Sequence, residues 1–366
     1  MSKTRDTIER NAVYLYDIQG WAIHNIGVYL ERLLSERRGH LQLLHIDDFR
    51  RQPKSCELLI VGYSCLADEQ EIRSWRKMAE EVVTVVHDPM EISHFYDRFT
   101  WLEEPLIYRN FAIFDRVATT SPLVAEALMR YSQLSSVWKV PTIPHDVRDW
   151  TDEEESLRSS HSTTDAPIRA LSCTSAVARY PLRVLPGRLK KAREYLLDEQ
   201  GSMSLRQVRS IGILTHRKNI SWLDRLENSA AEDRRGEIVY EFRNRHPVYW
   251  SRADHRKWMK SGDVYVCTSY MEGGPLPVME AVLAGMAVIT TPVGQIDQWV
   301  TNDVNGFICQ SYDECEAAIR AYIDDRELLK YHKQASKRHA PNEDSVGSAW
   351  LAFLAGVPNA DKATNT

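Results

Sequence analysis

The chain has 366 residues, with 46 lysines and arginines against 51 aspartates and glutamates, which gives a formal net charge of −5. This length is enough for two domains with hydrophobic cores, and the slight negative charge disfavours non-specific binding to nucleic acid. The sequence contains no apolar run long enough for a transmembrane helix, and its first residues lack the apolar core of a signal peptide. Six cysteines without a CxxC pair indicate buried free thiols rather than a zinc site. We therefore expect a cytoplasmic protein.

The first part of the chain alternates between apolar strands and helices. Apolar runs predict strands at 13–16, 41–46, 58–62, 82–86 and 116–120. This alternation predicts a parallel sheet with helices on its faces. The helix that ends near Ser35 has an apolar face, formed by Ile26, Tyr29, Leu30, Leu33 and Leu34. The sheet or a membrane surface could cover this face, and we expect the sheet.

Two places in this first domain lie where a doubly wound sheet binds ligands. Gly20 and Trp21 occupy the turn between the first strand and its helix, and His87 directly follows the strand at 82–86. Ligands of open α/β sheets bind at the carboxyl ends of the strands. A plain strand-to-helix turn and a structural histidine are the alternatives at these two places.

The stretch 151–167 is acidic, rich in Ser and Thr and without hydrophobic periodicity, which is typical of an interdomain linker. It divides a first domain at 1–150 from a second domain at 168–340, and we interpret 341–366 as a tail. Helices separate the predicted strands of the second domain, which lie at 168–173, 208–214, 237–242, 264–268 and 288–291.

The segment 271–287 (MEGGPLPVMEAVLAGMA) predicts a glycine loop followed by a short apolar helix. Gly273 and Gly274 let a ligand approach the backbone closely, and Pro275 suits the first helical turn. The start of such a helix presents free N–H groups and a positive dipole end. This segment is therefore a candidate phosphate-binding element.

Two carboxylates frame this helix, Glu272 in the loop and Glu280 inside the apolar helix. A charge among apolar residues is costly to bury unless it is paired or bound to a ligand. The residues by themselves leave a second interpretation open, in which Glu272 is a solvated loop acid and Glu280 only favours the helix electrostatically.

The spacing Glu-(seven residues)-Glu with a GGPLP insert resembles the donor-sugar motif of family 4 retaining glycosyltransferases of the GT-B fold. The continuation AVITTPVGQIDQWVTNDVNGFI is also similar to that family. The resemblance implies an α/β protein of two Rossmann-like doubly wound domains that face an interdomain cleft. It implies retaining transfer of a sugar from a nucleotide-sugar to a hydroxyl acceptor, with no metal and no other cofactor.

The same resemblance implies roles for the candidate residues. Glu272 and His87 would be the catalytic residues, with His87 reaching the donor sugar from the first domain. Glu280 would hold the ribose hydroxyls, and Gly20 and Trp21 would form a loop toward phosphate or acceptor. The sugar would be oriented by Gly273, Gly274, Pro275 and Leu276.

Preorganised basic residues stabilise the charge that grows on a departing diphosphate. Arg179 and Arg183 follow the first strand of the second domain, whereas Arg217 and Lys218 follow the next one. The family's basic pair normally follows the first strand of that domain, so we favour Arg179 and Arg183. Arg217 and Lys218 stay open as the alternative pair.

Other functions are compatible with the same pattern. A GT-B shell can lose catalysis and serve as a binding or partner subunit, because a fold does not fix a function. A transferase could also modify nucleic-acid bases or a small natural product. The acceptor classes that we consider are a glycan, a lipid-linked glycan and a small molecule. A lipid-linked acceptor, as in the synthesis of a cell-surface polysaccharide or glycoconjugate, would bring peripheral contact with the inner membrane face.

Overall fold

The computed structural model describes residues 10–17, 19, 22–87, 110–132, 134–141, 167–174, 219–233, 237–244, 252–270, 272–340 and 343–357. Among these residues, no helix has both the length and the apolar character that crossing a membrane requires. The chain divides into two compact units, residues 1–147 with 341–366, and residues 148–340.

The described part of the first unit contains a parallel sheet with helices between its strands. Its strands are β1 (Asn11–Tyr16), β2 (His40–His45), β3 (Cys56–Val61), β4 (Ala79–Val86), β5 (Arg116–Thr119) and β6 (Trp138–Lys139). Its first helices are α1 (Ala22–Ser35), α2 (Ile46–Arg51), α3 (Glu69–Trp75) and α4 (Pro122–Tyr131). The strand order is β2-β1-β3-β4-β5-β6, and every pair is parallel. The predicted strands of this domain are thus confirmed, and all of them belong to one sheet.

Helix α1 packs its apolar face on this sheet. Ile26, Leu30 and Leu33 are buried in one core cluster with Tyr14 of β1 and Ile60 of β3. The expectation that the sheet covers this face is confirmed. The face is therefore not exposed to a membrane, and the helix lends no support to a membrane contact.

The second unit contains another parallel sheet. Its described strands are β7 (Ile168–Thr174), β8 (Ile238–Asn244), β9 (Val264–Cys267), β10 (Ala287–Thr290) and β11 (Gly306–Ile308), in the order β11-β10-β9-β7-β8. Its described helices are α5 (Ile220–Asp233), α6 (Arg252–Lys260), α7 (Leu276–Leu283), α8 (Tyr312–Asp324) and α9 (Arg326–His339). The predicted strand at 208–214 lies outside the described residues. Two Rossmann-like sheets of parallel strands confirm the predicted α/β class.

The segment 341–366, interpreted from sequence as a tail, contains a helix of the first unit, α10 (Glu343–Ala355). Trp350 and Phe353 are fully buried in the same core cluster as α1. Trp350 also donates a hydrogen bond from Nε1 to the carbonyl of Pro141, at 2.9 Å. Apolar burial thus makes this segment part of the first domain's core, which the interpretation as a tail did not anticipate.

The described cysteines are free thiols, and most of them are buried. Cys56, Cys267, Cys309 and Cys315 are buried, whereas Cys65 is half-buried. Burial raises the pKa of the Cys56 thiol to about 11, so this thiol stays protonated at neutral pH. For these four residues, the prediction of buried free thiols is confirmed.

Candidate functional site

The candidate site is a pocket at the carboxyl ends of β7 and β9, which are neighbours in the second sheet. The register pairs Ala170 with Val264 and Leu171 with Tyr265, so both strands end at the same edge. The pocket is lined by Ser172, Leu223, Tyr265, Cys267, Thr268, Ser269, Glu272, Pro275, Pro277 and Val278. This is the edge at which open α/β sheets bind their ligands.

Glu272 lies in the wall of this pocket with a fixed carboxylate. Its side chain is buried, and its Oε1 accepts a hydrogen bond of 2.8 Å from the hydroxyl of Ser269. The carbonyl of Ser269 in turn accepts a hydrogen bond from the hydroxyl of Thr291, which directly follows β10. These bonds tie the loop after β9 to the end of β10, and they hold Glu272 at the pocket. The interpretation of Glu272 as a solvated loop acid is therefore wrong.

Helix α7 begins directly after the glycine loop. Pro275 occupies its N-cap position without a side-chain hydrogen bond. Among the described residues, no backbone carbonyl outside the helix accepts a hydrogen bond from the N–H groups of Gly273, Gly274 or Leu276. Unpaired N–H groups and a positive dipole end are the general properties of a helix N-terminus that favour an anionic ligand. Pro275 and Pro277 line the pocket, so the N-terminal turn of α7 forms part of its wall.

Glu280 is 1% exposed, and its Oε2 lies 2.9 Å from Nε2 of His255 on α6. His255 is itself buried. Burial of an unpaired carboxylate in an apolar helix would be costly, and His255 is a hydrogen-bond partner that offsets this cost. Sequence reasoning did not single out His255, although His255, Trp258 and Met259 form the buried face of an otherwise charged helix. The spacing of these three residues could have indicated that this face of the helix is buried. It could not have indicated that His255 contacts Glu280.

Four residues predicted to contact the diphosphate lie outside the described residues: Arg179, Arg183, Arg217 and Lys218. In the sequence, the first pair comes after Thr174, the last residue of β7, and Ser172 of the same strand lines the pocket. The second pair precedes Asn219, whose carbonyl accepts a hydrogen bond of 3.2 Å from the hydroxyl of Thr268 in the pocket wall. Nothing in the described residues decides between the two pairs, and both stay candidates.

In the first domain, His87 directly follows β4 and lies beside the carboxyl end of β3. Its Nε2 is 2.9 Å from the carbonyl oxygen of Gly62, which can only accept a hydrogen bond, so Nε2 carries a proton. The His87 carbonyl accepts a hydrogen bond of 3.5 Å from the Thr120 hydroxyl. The imidazole is therefore held at the carboxyl edge of the first sheet. Gly20 and Trp21, the other candidates in this domain, lie outside the described residues.

Comparisons with solved structures identify the fold. The chain is similar to HepE from Anabaena in complex with UDP, at 14% identity and a TM-score of 0.55, over 94% of this chain and 100% of that one. It is also similar to sucrose-phosphate synthase from Thermosynechococcus elongatus, at 13% identity and a TM-score of 0.59, over 93% and 97% of the two chains. Similarity at such low identity establishes the fold. The protein has the GT-B fold, built from two Rossmann-like domains.

A third similar structure is the pneumococcal O-GlcNAc transferase GtfA in complex with UDP and GlcNAc, at 14% identity and a TM-score of 0.54. This similarity covers 85% of this chain and 59% of that one. No curated protein sequence matches the chain. Residues 239–339 match the family model described as "Glycosyl transferases group 1", and this segment contains His255, Glu272 and Glu280. Fold and family model together support a group 1 glycosyltransferase.

Proposed function

We propose that the protein is a family 4 type, retaining glycosyltransferase that moves a sugar from a nucleotide-sugar to a hydroxyl acceptor. One observation carries this proposal. A buried carboxylate, Glu272, lies in the wall of a pocket at the carboxyl ends of parallel strands, within the segment that matches the group 1 model. That is where a donor in the second domain would bind.

In this proposal, Glu272 and the loop after it orient the donor sugar. The bond from Ser269 fixes the carboxylate, which can accept hydrogen bonds from sugar hydroxyls. The N–H groups of Gly273, Gly274 and Leu276 offer donors to the sugar or to the diphosphate. Binding of UDP by the similar HepE makes UDP-sugars the first donors to test.

The chemical step breaks the bond between the anomeric carbon and the diphosphate oxygen. The acceptor hydroxyl forms the new bond on the same face of the sugar, and its proton passes to the departing diphosphate. Negative charge grows on the diphosphate in this step, and Arg179 with Arg183, or Arg217 with Lys218, would stabilise it. His87 of the first domain would contact the donor sugar during transfer.

The direct test is release of nucleoside diphosphate from UDP-, GDP-, ADP- and dTDP-sugars by the purified protein, with a panel of glycan, lipid-linked glycan and small-molecule hydroxyl acceptors to take the sugar. We expect turnover with one nucleotide class, and loss of about a hundredfold in rate for Glu272→Gln. The matched control is Glu327→Gln, since Glu327 is a highly exposed carboxylate on α9. Binding of a nucleotide-sugar without turnover would indicate a binding subunit rather than a transferase. Absence of both binding and turnover would overturn the proposal.

The anomeric configuration of the product tests whether transfer is retaining. Proton NMR of the first sugar product should show the same anomeric configuration as the donor sugar. The inverted configuration would contradict retention while leaving the transferase in place.

The proposal includes no metal, so a chelator is expected to leave the rate unchanged. The measurement compares nucleoside diphosphate release before and after dialysis against EDTA. A loss of activity that Mg²⁺ or Mn²⁺ restores would contradict this expectation. It would show that a metal ion, rather than arginines and a helix terminus, stabilises the negative charge of the diphosphate.

A further inference from the structure

We propose that His255 is a positioning residue for Glu280, which it holds in the orientation that binds the ribose hydroxyls of a nucleotide-sugar. The inference rests on the proposed function, because it specifies how the donor site of that transferase is built. It concerns a residue on α6, outside the Glu272–Glu280 segment that the sequence pattern singled out.

The contact itself is a short buried hydrogen bond between two helices. Nε2 of His255 lies 2.9 Å from Oε2 of Glu280, and the two residues are 5% and 1% exposed. A carboxylate only accepts hydrogen bonds, so Nε2–H of His255 donates. Met279 and Ala281, which flank Glu280, are fully buried. The hydrogen bond is therefore buried in the protein interior, where a directed hydrogen bond has a large effect on the orientation of the carboxylate.

The direction of the side chain connects this pair to the pocket. Side chains of an α-helix lean toward its N-terminus and lie over the preceding turn. Glu280 is the fifth residue of α7, so by this rule its side chain leans toward the first turn of that helix. Pro277 in this turn lines the pocket. A carboxylate can accept about four hydrogen bonds, so a bond from His255 is compatible with further bonds from a ligand diol.

The energetics favour a role beyond packing. Burial of a carboxylate costs free energy, and a buried charged pair is a weak stabiliser compared with apolar residues of similar volume. Packing of α6 on α7 does not require a charge. A carboxylate that must present its oxygens to a ligand does require a fixed partner, and residues that hydrogen-bond to a ligand-binding group commonly orient it.

The test compares UDP with its 2′-deoxy and 3′-deoxy forms by calorimetric titration, and it runs the ADP and GDP series in parallel. The wild-type protein should bind the ribonucleotide of one series about tenfold more tightly than the deoxy forms. His255→Leu should weaken binding of the ribonucleotide about tenfold and reduce the preference to within about twofold. His255→Gln, which keeps a side-chain N–H donor, should restore most of the preference.

The matched control is His332→Leu, which removes another buried histidine of the second domain. His332 is hydrogen-bonded to Tyr322 and not to Glu280, so this variant should leave Glu280 in place and keep the full ribonucleotide preference. Circular dichroism establishes that each variant is folded. If His255→Leu does not fold, His255→Asn replaces it, because its shorter side chain cannot span the distance to Glu280.

The outcomes separate the two proposals. A wild-type protein that binds neither these nucleotides nor dTDP contradicts the proposed function itself, and one that binds dTDP alone overturns the positioning role, because dTDP has no ribose diol. A wild-type protein that prefers the ribonucleotide, with the preference unchanged in His255→Leu, overturns the positioning role and leaves the transferase standing. A wild-type protein that binds ribo and deoxy forms equally also overturns it, since Glu280 would then not contact the ribose. Equal losses in the leucine and glutamine variants would show a structural role only.

Discussion

Gly294 determines how closely the segment after β10 approaches the loop that carries Glu272. Its φ is +59°, a backbone conformation that residues with a side chain rarely adopt. A Cβ at this position would lie 2.7 Å from the carbonyl oxygen of Gly273 and 3.1 Å from that of Glu272. The donor loop thus keeps its position only if this residue is glycine.

We expect Gly294→Ala to displace the Glu272 loop, because the neighbouring atoms are backbone and cannot rotate away. Donor affinity should fall tenfold or more, and the free energy of unfolding should fall by roughly 1–3 kcal/mol. Calorimetric titration and urea denaturation measure the two effects. Unchanged donor affinity in the folded variant would contradict the assignment of this loop to the donor.

The control for this variant is Gly356→Ala in the first domain. Gly356 has a φ of +67°, and its added Cβ would meet the guanidinium of Arg116 at 2.6 Å, the end of a flexible side chain. This variant should lose stability through backbone strain and should retain donor affinity.

At the residue scale, the sequence predicts the carboxylates better than their partners. Glu272 and Glu280 are close in the sequence, so the local pattern and the family resemblance were enough to assign both to one loop and the helix that follows it. His255 lies 25 positions before Glu280 on a different helix, and their contact depends on how α6 packs beside α7. Such a tertiary contact leaves no local pattern. The basic residues predicted for the diphosphate stay predictions.

At the scale of elements, a buried hydrogen bond joins α8 to α9. The hydroxyl of Tyr322 lies 2.8 Å from Nδ1 of His332, and both residues are fully buried. Phe307 of β11 packs against the His332 ring, with the ring centroids 5.2 Å apart. Burial lowers the pKa of His332 from its ordinary value, and hydrogen bonding and charge at Asp303 oppose this shift.

We therefore expect acid to destabilise the second domain through His332. Its pKa is lower in the folded than in the unfolded state, so the unfolded state binds more protons as the pH falls below about 6.5. His332→Asn removes the titrating group and keeps an acceptor for Tyr322. Between pH 7.5 and 5, the wild type should lose up to about 2 kcal/mol more than this variant. Urea denaturation across that range measures the difference, and parallel curves would contradict it.

Strand–helix alternation predicted nine of the eleven described strands, because each of these carries its own apolar run. The short strands β6 and β11, of two and three residues, were not predicted. Helix α10 was not predicted, because Gly347 interrupts a short apolar segment and glycine weakens a helix. In the structure, a Cβ at Gly347 would lie 3.0 Å from Cδ1 of Leu33 on α1. The glycine thus permits close packing of α10 on α1, and this packing stabilises α10. Only the tertiary structure reveals that contact.

At the scale of the whole molecule, the first unit is built from both ends of the chain, residues 1–147 and 341–366. Its core includes Trp350 and Phe353 from the C-terminal helix together with Leu30 and Tyr14 from the N-terminal segment. The first domain therefore completes its core only after the whole second domain has been synthesised.

We expect Trp350→Ala to destabilise the first domain by about 3–5 kcal/mol, because it empties a fully buried site. Hydrogen exchange should accelerate in peptides of β1, β3 and α1, while peptides of β9 and β10 and donor affinity stay unchanged. Trp350→Phe keeps most of the volume and should have a smaller effect. Uniform acceleration in both units would show that they do not unfold separately.

The most direct test of the central claim is a thermal-shift screen of the purified protein with UDP-, GDP-, ADP- and dTDP-sugars, repeated with Glu280→Ala. A ligand that binds only the folded state at a hundredfold excess over its Kd stabilises that state by about 2.7 kcal/mol. We expect a raised melting temperature with one nucleotide class and loss of that shift in Glu280→Ala. The absence of a shift with every donor, in protein shown to be folded, would contradict it.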